Sequence, residues 1–288
     1  MNTQALLTED PGAEESYQRP WYVVIVLKLL LVFKKLVPEK TFLRVYDWAF
    51  EFYRRLLRKN YGARAAGATE AYAVKNRMVY DSMPHSLVGW KGLEATYDAV
   101  VAVHEQDIPG DLVECGVAEG GCALLIARLA ERLSTPPRKL WLFDSYEGLP
   151  EPTADDFKGG KTGNHFRPLS KGSCLGTVEQ VSGLLFDEWK LSKDQIEMVK
   201  GWFEDSLPAT KDRMDKIAIL RLDGDWYDST MTCFEELYDR VSSGGYVILD
   251  DYYSCFGCRR ATTEFLERVG DKVEIVADGR GGSWFVKP

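Results

Sequence analysis

The sequence predicts an α/β fold, a mostly parallel seven-stranded sheet with helices on both faces, preceded by an N-terminal helical extension. Three observations predict it. From Asp111 onward, short apolar runs alternate with helix-length stretches. A glycine-rich turn follows the first run. Acidic residues stand directly after the second, fourth and fifth runs.

The elements follow in order. The first sixteen residues are acidic and polar, and are expected to be disordered. Trp21–Phe33 reads W-Y-V-V-I-V-L-K-L-L-L-V-F. It is shorter than the ~20 apolar residues of a membrane span and is broken by Lys28. Acids precede it, and Lys34, Lys35 and Lys40 follow, which is the reverse of a cleavable signal. Two readings stay open: a helix packed on the main domain or on a second subunit, or peripheral membrane contact by residues 21–37. Beyond Pro38, Phe42, Val45, Tyr46, Ala49, Phe52, Tyr53 and Leu56 recur as one face of a helix over Thr41–Lys59. The Gly/Ala-rich Tyr61–Thr69 reads as a linker. The expected division is therefore residues 1–69 as the extension and 70–288 as the sheet domain.

A helix is expected at Leu93–Glu105. The strands are Asp111–Cys115, Lys139–Phe143, Ile196–Val199, Ile217–Leu222, Tyr246–Leu249, Val273–Val276 and Ser283–Val286. Helices at Gly120–Arg132, Thr177–Trp189, Ser229–Val241 and Arg259–Arg268 alternate with them. Glu151–Gly172 is polar and long, the mark of a lid or binding loop, or of a disordered segment. The last two strands form a hairpin through D-G-R-G-G, Asp278–Gly282.

The net charge of −8 argues against a nucleic-acid partner, which requires a basic face. Six scattered cysteines without a leader fit a reducing, cytoplasmic location. Cys255-Phe-Gly-Cys258 is a lone C-x-x-C. Zinc would need a second pair or nearby histidines, so these are read as spare cysteines.

In an open parallel sheet, ligands bind at the carboxyl ends of the strands. E-C-G-V-A-E-G-G, Glu114–Gly121, follows the first strand. Gly116, Gly120 and Gly121 let a ligand approach the backbone around Val117. The spacing is not G-x-G-x-x-G, and Glu114 and Glu119 disfavour a pyrophosphate. A bare βα turn is the bland alternative. Asp144, ending the second strand beside Ser145, can bond both hydroxyls of a ribose.

R-L-D-G-D-W-Y-D-S-T, Arg221–Thr230, carries three acids. Strand adjacency would bring Asp223 to within a few ångströms of Asp250 and Asp251. Converging carboxylates repel unless a cation lies between them, and all-oxygen ligation suits Mg²⁺, Mn²⁺ or Ca²⁺. Alternatively, strand-end aspartates only cap the following helices. That reading is preferred for Asp228. An EF-hand fails because glycine stands at the second loop position.

Six ordered segments across Gly110–Pro288 carry a resemblance: G-D-L-V-E-C-G-V-A-E-G-G, F-D-S-Y-E-G-L-P, K-G-W-F-E-D-S-L-P, L-R-L-D-G-D-W-Y-D-S-T, G-G-Y-V-I-L-D-D-Y and C-R-R-A. With them the chain resembles the macrocin O-methyltransferase family, sugar O-methyltransferases of natural-product biosynthesis. The resemblance implies a class I methyltransferase fold and the cofactors S-adenosylmethionine and Mg²⁺ (or Mn²⁺). It implies metal ligation by Asp223, Asp250 and Asp251, and a general base at Asp225. Glu114, Gly116, Val117, Gly120, Asp144 and, beside it, Ser145 would lie at the cofactor. The implied acceptor is a small hydroxylated molecule, a glycoside, and the implied assembly a homo-oligomer, a dimer or higher. A catechol-type phenolic O-methyltransferase and a non-catalytic methyltransferase-like module are the alternatives.

Overall fold

The computed structural model describes residues 29–30, 32–66, 69–134, 137–163 and 169–288. The expected disorder of the first sixteen residues, and most of the Trp21–Phe33 stretch, lie outside them.

Helices α1 (Glu39–Ala65), α2 (Glu70–Ser82) and α3 (Gly89–Glu105) precede the sheet. The alternating region then runs β1 (Asp111–Cys115), α4 (Gly121–Leu133), β2 (Leu140–Asp144), α5 (Val178–Ser182), β3 (Ile196–Lys200) and α6 (Phe203–Thr210). It continues with β4 (Ile217–Leu222), α7 (Tyr227–Leu237), β5 (Val241–Leu249), α8 (Phe256–Val269), β6 (Val276–Ala277) and β7 (Ser283–Val286). The spatial order is β3-β2-β1-β4-β5-β7-β6. The first five strands are parallel, and β7 pairs antiparallel with β5 and with β6.

Every residue of β4 is buried. This is the signature of a parallel strand covered on both faces. Side-chain alternation divides the core accordingly. Leu112 and Ile219 join Leu93, Val100 and Leu124 on one side. Val113 and Leu220 join Trp141, Phe234, Phe265 and Phe285 on the other.

Two expectations changed, and one helix had not been foreseen. The Tyr61–Thr69 linker is helical to Ala65, because Tyr61 is core: it is 4% exposed and its hydroxyl lies 3.1 Å from Asn76 Oδ1 and 2.9 Å from Glu94 Oε1. Helix α2 had no strong sequence signal, since its apolar residues are not confined to one face. The helix expected over Thr177–Trp189 is α-helical only to Ser182 and continues as a π-turn over Gly183–Glu188.

The strand ends set up the site. Leu222 lies beside Cys115 of β1 and Leu249 of β5. Backbone bonds carry that register one step further: the Asp223 amide donates to the Cys115 carbonyl at 2.8 Å, and the Asp250 amide to the Leu222 carbonyl at 3.0 Å. Gly116, Asp223 and Asp250 therefore leave the sheet at one level.

Replacing Tyr61 by alanine is expected to cost about 3 kcal/mol in urea unfolding. A linker residue would cost under about 0.5 kcal/mol.

Candidate functional site

The site is built around an arginine on β4. Arg221 is fully buried and faces Glu114 across the β1–β4 register. One terminal nitrogen, Nη1, reaches Glu114 at 3.3 Å and Asp223 at 2.9 Å, and Nη2 reaches Asp250 at 2.8 Å. A charge inside an apolar strand costs several kcal/mol unless it is paired, so these carboxylates are obligatory neighbours. Arg280 contributes a second cation, bonding the other Asp250 oxygen at 2.9 Å. Its hairpin is set by Asp278, whose Oδ1 accepts from the amides of Arg280, Gly281 and Gly282.

Asp223, Asp250 and Asp251 bring one oxygen each to within 4.8 Å of one another. The Asp251 Oδ2 atom is buried without a hydrogen-bond partner, while Oδ1 accepts from the Ser254 hydroxyl. A set of three carboxylates with an unsatisfied buried oxygen fits a hard divalent cation and can hold one. Asp225, Asp251 and Cys255 form an adjoining group within the same distance. Cys258 is not in it, so the two cysteines do not converge as zinc ligands there.

The titration directions follow from this crowding. Burial and the neighbouring Asp250 raise Asp223 against the opposing pull of Arg221. Burial, Asp225 and Asp250 raise Asp251. Burial would raise Asp250 as well, yet Arg280 and Arg221 outweigh it and hold that carboxyl low. Burial, then Asp223, pushes Asp225 up to about 7. Full burial takes Glu114 to about 8 even with Arg221 beside it.

Asp225 is at the end of a tight turn with φ of 57°, a left-handed conformation that aspartate tolerates better than most residues. Its Oδ1 accepts from the Cys255 thiol at 3.4 Å. The next residue anchors the turn: Trp226 is 2% exposed and its indole donates to the Pro150 carbonyl at 3.0 Å.

Asp228 was expected to cap α7. It lies in the helix's first turn instead, and the Tyr227 amide is taken by Asp156 Oδ1 at 2.6 Å. Asp156 belongs to the long insertion, where it closes a capping box with Thr153. Gly257 is required opposite, since a β-carbon there would overlap the Asp156 carboxylate. The same insertion bridges Gly163 to Cys255, and the Phe256 amide donates to the Thr162 carbonyl at 3.0 Å.

The glycine turn adjoins the acids. A β-carbon on Gly116, at φ of 92°, would overlap the Asp223 carbonyl oxygen. Asp144 closes the turn from β2: Oδ2 accepts from the Val117 and Ala118 amides at 2.7 and 3.1 Å, and Oδ1 from the Tyr146 amide at 2.6 Å. The Ser145 hydroxyl lies 3.5 Å from Asp144 Oδ1 and 3.1 Å from the Gly148 carbonyl. Gly120 starts α4 in the left-handed region. Glu114 lies beneath the turn, fully buried, with Oε2 unpartnered. The Tyr146 hydroxyl is likewise buried and unpartnered. Unsatisfied polar atoms beside a glycine turn fit a polar cofactor. From outside, Arg54 of α1 reaches Glu119 of the turn at 2.7 Å and the Pro84 carbonyl at 2.8 Å.

Sequence reasoning missed Arg221, Arg280, Asp278, Asp156 and Arg54. Only Arg221 carried a readable signal, a charge within the apolar I-A-I-L-R-L.

A 3-2-1-4-5-7-6 sheet with a glycine turn after β1 and an acid ending β2 defines a class I methyltransferase. The family model described as Macrocin-O-methyltransferase (TylF) matches residues 24–285, and the chain belongs to that family. It is 34% identical over 201 residues to the demethyldecarbamoylnovobiocin O-methyltransferase of Streptomyces niveus, covering 70% of this chain and 75% of that one. It is 35% identical over 208 residues to the 8-demethyl-8-(2,3-dimethoxy-alpha-L-rhamnosyl)-tetracenomycin-C 4'-O-methyltransferase of Streptomyces olivaceus, covering 71% and 77%. The solved structure of the O-methyltransferase NovP superposes with a TM-score of 0.61 at 34% identity, covering 70% of this chain and 82% of that one. The chain is thus an S-adenosylmethionine-dependent O-methyltransferase.

Arg221→Met is expected to destabilise the protein by about 3–5 kcal/mol at neutral pH in urea unfolding, because it strands buried carboxylates. Arg221→Lys recovers part of that loss, since a lysine keeps the charge but not the fork that serves three acids.

Proposed function

We propose that the protein transfers the methyl group of S-adenosylmethionine to a hydroxyl of a glycosylated natural product, with Asp223, Asp250 and Asp251 holding a divalent metal and Asp225 acting as base. The observation that carries this reading is the convergence within 4.8 Å of three carboxylates, the buried Asp250 and Asp251 and the half-buried Asp223, beside the buried Asp225 and next to the glycine turn. The relatives' printed names support the acceptor class: one methylates a rhamnosyl-tetracenomycin at the 4' position. The domain reading accompanies it, with residues 1–69 as a helical extension and 70–288 as the methyltransferase domain. Six free thiols suit a reducing, cytoplasmic setting.

A Mg²⁺ or Mn²⁺ ion held by the three carboxylates would supply Lewis-acid polarisation to acceptor oxygens, for which a vicinal diol has the matching spacing. The protein's own groups do the rest. The glycine turn and Asp144 receive the cofactor, whose sulfonium methyl must face the acceptor for in-line attack. Asp225 takes the proton from the attacking hydroxyl. An O–CH₃ bond forms as the S–CH₃ bond breaks, and the thioether S-adenosylhomocysteine leaves. Arg221 and Arg280 hold Asp250 in its ionised form throughout.

The test compares a glycosylated acceptor with its phenolic aglycone, in the presence of S-adenosylmethionine and Mg²⁺, with products read by mass spectrometry. Sugar methylation is expected. Methylation of the phenol alone would replace this reading with a catechol-type one, and methylation of neither would leave a binding module.

Two outcomes probe the machinery. Asp225→Asn should lower turnover by about 10²–10⁴-fold while leaving the calorimetric affinity for S-adenosylhomocysteine unchanged; near-normal turnover would remove Asp225 as base. EDTA should abolish activity and added Mg²⁺ restore it, and activity that survives chelation would remove the metal from the reading.

A further inference from the structure

Helix α1 presents an apolar stripe that nothing among the described residues covers. Val45, Trp48, Phe52 and Leu56 are 36%, 70%, 60% and 40% exposed. At 100° per residue they share one face, with the buried Phe42 at its edge and the buried Tyr61 further round the helix. Trp48 and Phe52 stack with ring centroids 6.1 Å apart. The helical residues just before α1 add Leu29, Val32 and Leu36, all exposed. Among the described residues, seven of the twelve exposed large apolar side chains therefore fall within residues 29–56.

Charge identifies the occupant. Residues 21–65 hold ten Lys or Arg against three Asp or Glu, a net of +7, in a chain whose total is −8. Exposed Arg44, Arg55 and Lys59 lie on or beside the stripe by the same helical step. The acids of α1, Asp47 and Glu51, lie on the same flank as Arg44 and Arg55, where Glu51 pairs with Arg54 at 2.8 Å, and they leave that flank net basic. Two copies meeting stripe to stripe would bring two net-basic helices together. The rest of a second copy is acidic, but its exposed apolar side chains (Tyr72, Phe157, Leu175, Val269 and Val286) are scattered in sequence over separate elements. An anionic bilayer surface offers both what the apolar stripe and what its basic flank require. No helix among the described residues is long and apolar enough to cross a membrane.

We infer that α1, with the segment before it, lies on an anionic lipid surface, its Val45–Trp48–Phe52–Leu56 stripe in the interface and its basic residues at the headgroups. Through Arg54 and Glu119, the same helix is latched to the cofactor turn, so the lipid-facing element and the catalytic centre are two sides of one contact.

The test is co-sedimentation of the full chain with phosphatidylglycerol-containing vesicles and with neutral phosphatidylcholine vesicles, at low and high salt. Binding to the anionic vesicles is expected, weakened by salt and absent with neutral lipid. The Trp48→Glu/Phe52→Glu variant should bind at least about tenfold more weakly. Its thermal midpoint and its turnover on a soluble acceptor should match the parent's, because both side chains are exposed. No binding to anionic vesicles, equal binding to both lipids, or undiminished binding by the variant would each overturn the inference. So would sedimentation velocity that shows a parent oligomer becoming monomeric in the variant without any vesicle binding, which would make the stripe a subunit interface.

Discussion

A guanidinium enclosed in the middle of a sheet constrains everything near it. Arg221 has no route to water, so its charge must be met by groups that the fold delivers to one point. Three chain segments deliver them: Glu114 from β1, Asp223 from the end of β4 itself and Asp250 from the end of β5. The strand register is therefore an electrostatic requirement as well as an apolar one. A slip of one residue would turn Arg221 to the opposite face, among Trp141, Phe143 and Phe234. The same arrangement leaves an excess of acid over base. Arg221 and Arg280 together face Glu114, Asp223, Asp225, Asp250 and Asp251. That surplus distinguishes the site from a buried structural network, in which the charges would close.

The sheet was legible because its information is local. Apolar runs, turn glycines and strand-end acids each sit where the chain itself needs them. The proximity of Asp223 to Asp250 and Asp251 followed from strand adjacency alone. What was not legible depends on partners distant in sequence. Tyr61 in a Gly/Ala-rich stretch reads as linker until Asn76 and Glu94 are seen to meet its hydroxyl. Asp228 reads as the cap of α7 because it is adjacent, whereas Asp156 wins because the insertion carries it there already boxed with Thr153. Arg54 looks like one more surface cation on a helix, and only the folded chain brings it to Glu119.

The insertion after β2 also gains a physical description. Pro150 accepts from Trp226, Asp156 caps α7, and Thr162 and Gly163 bond the start of α8. Its base is closed by two backbone bonds, the Gly172 amide donating to the Leu149 carbonyl at 2.9 Å and the Leu149 amide to the Ser173 carbonyl at 2.8 Å. Each anchor falls on an element that also carries an acid of the cluster or its immediate neighbour. The position of the insertion and the geometry of the Asp225 turn are thereby coupled through Trp226.

The contacts that balance the site span large separations in sequence: 107 residues from Glu114 to Arg221, 30 from Asp250 to Arg280, and 193 from Leu87 to Arg280. Contacts of such range are the slowest for a chain to make. Without the final hairpin, Asp250 would be paired with one cation instead of two. The pairing of Asp250 with both of its cations thus waits on the last hairpin of the chain.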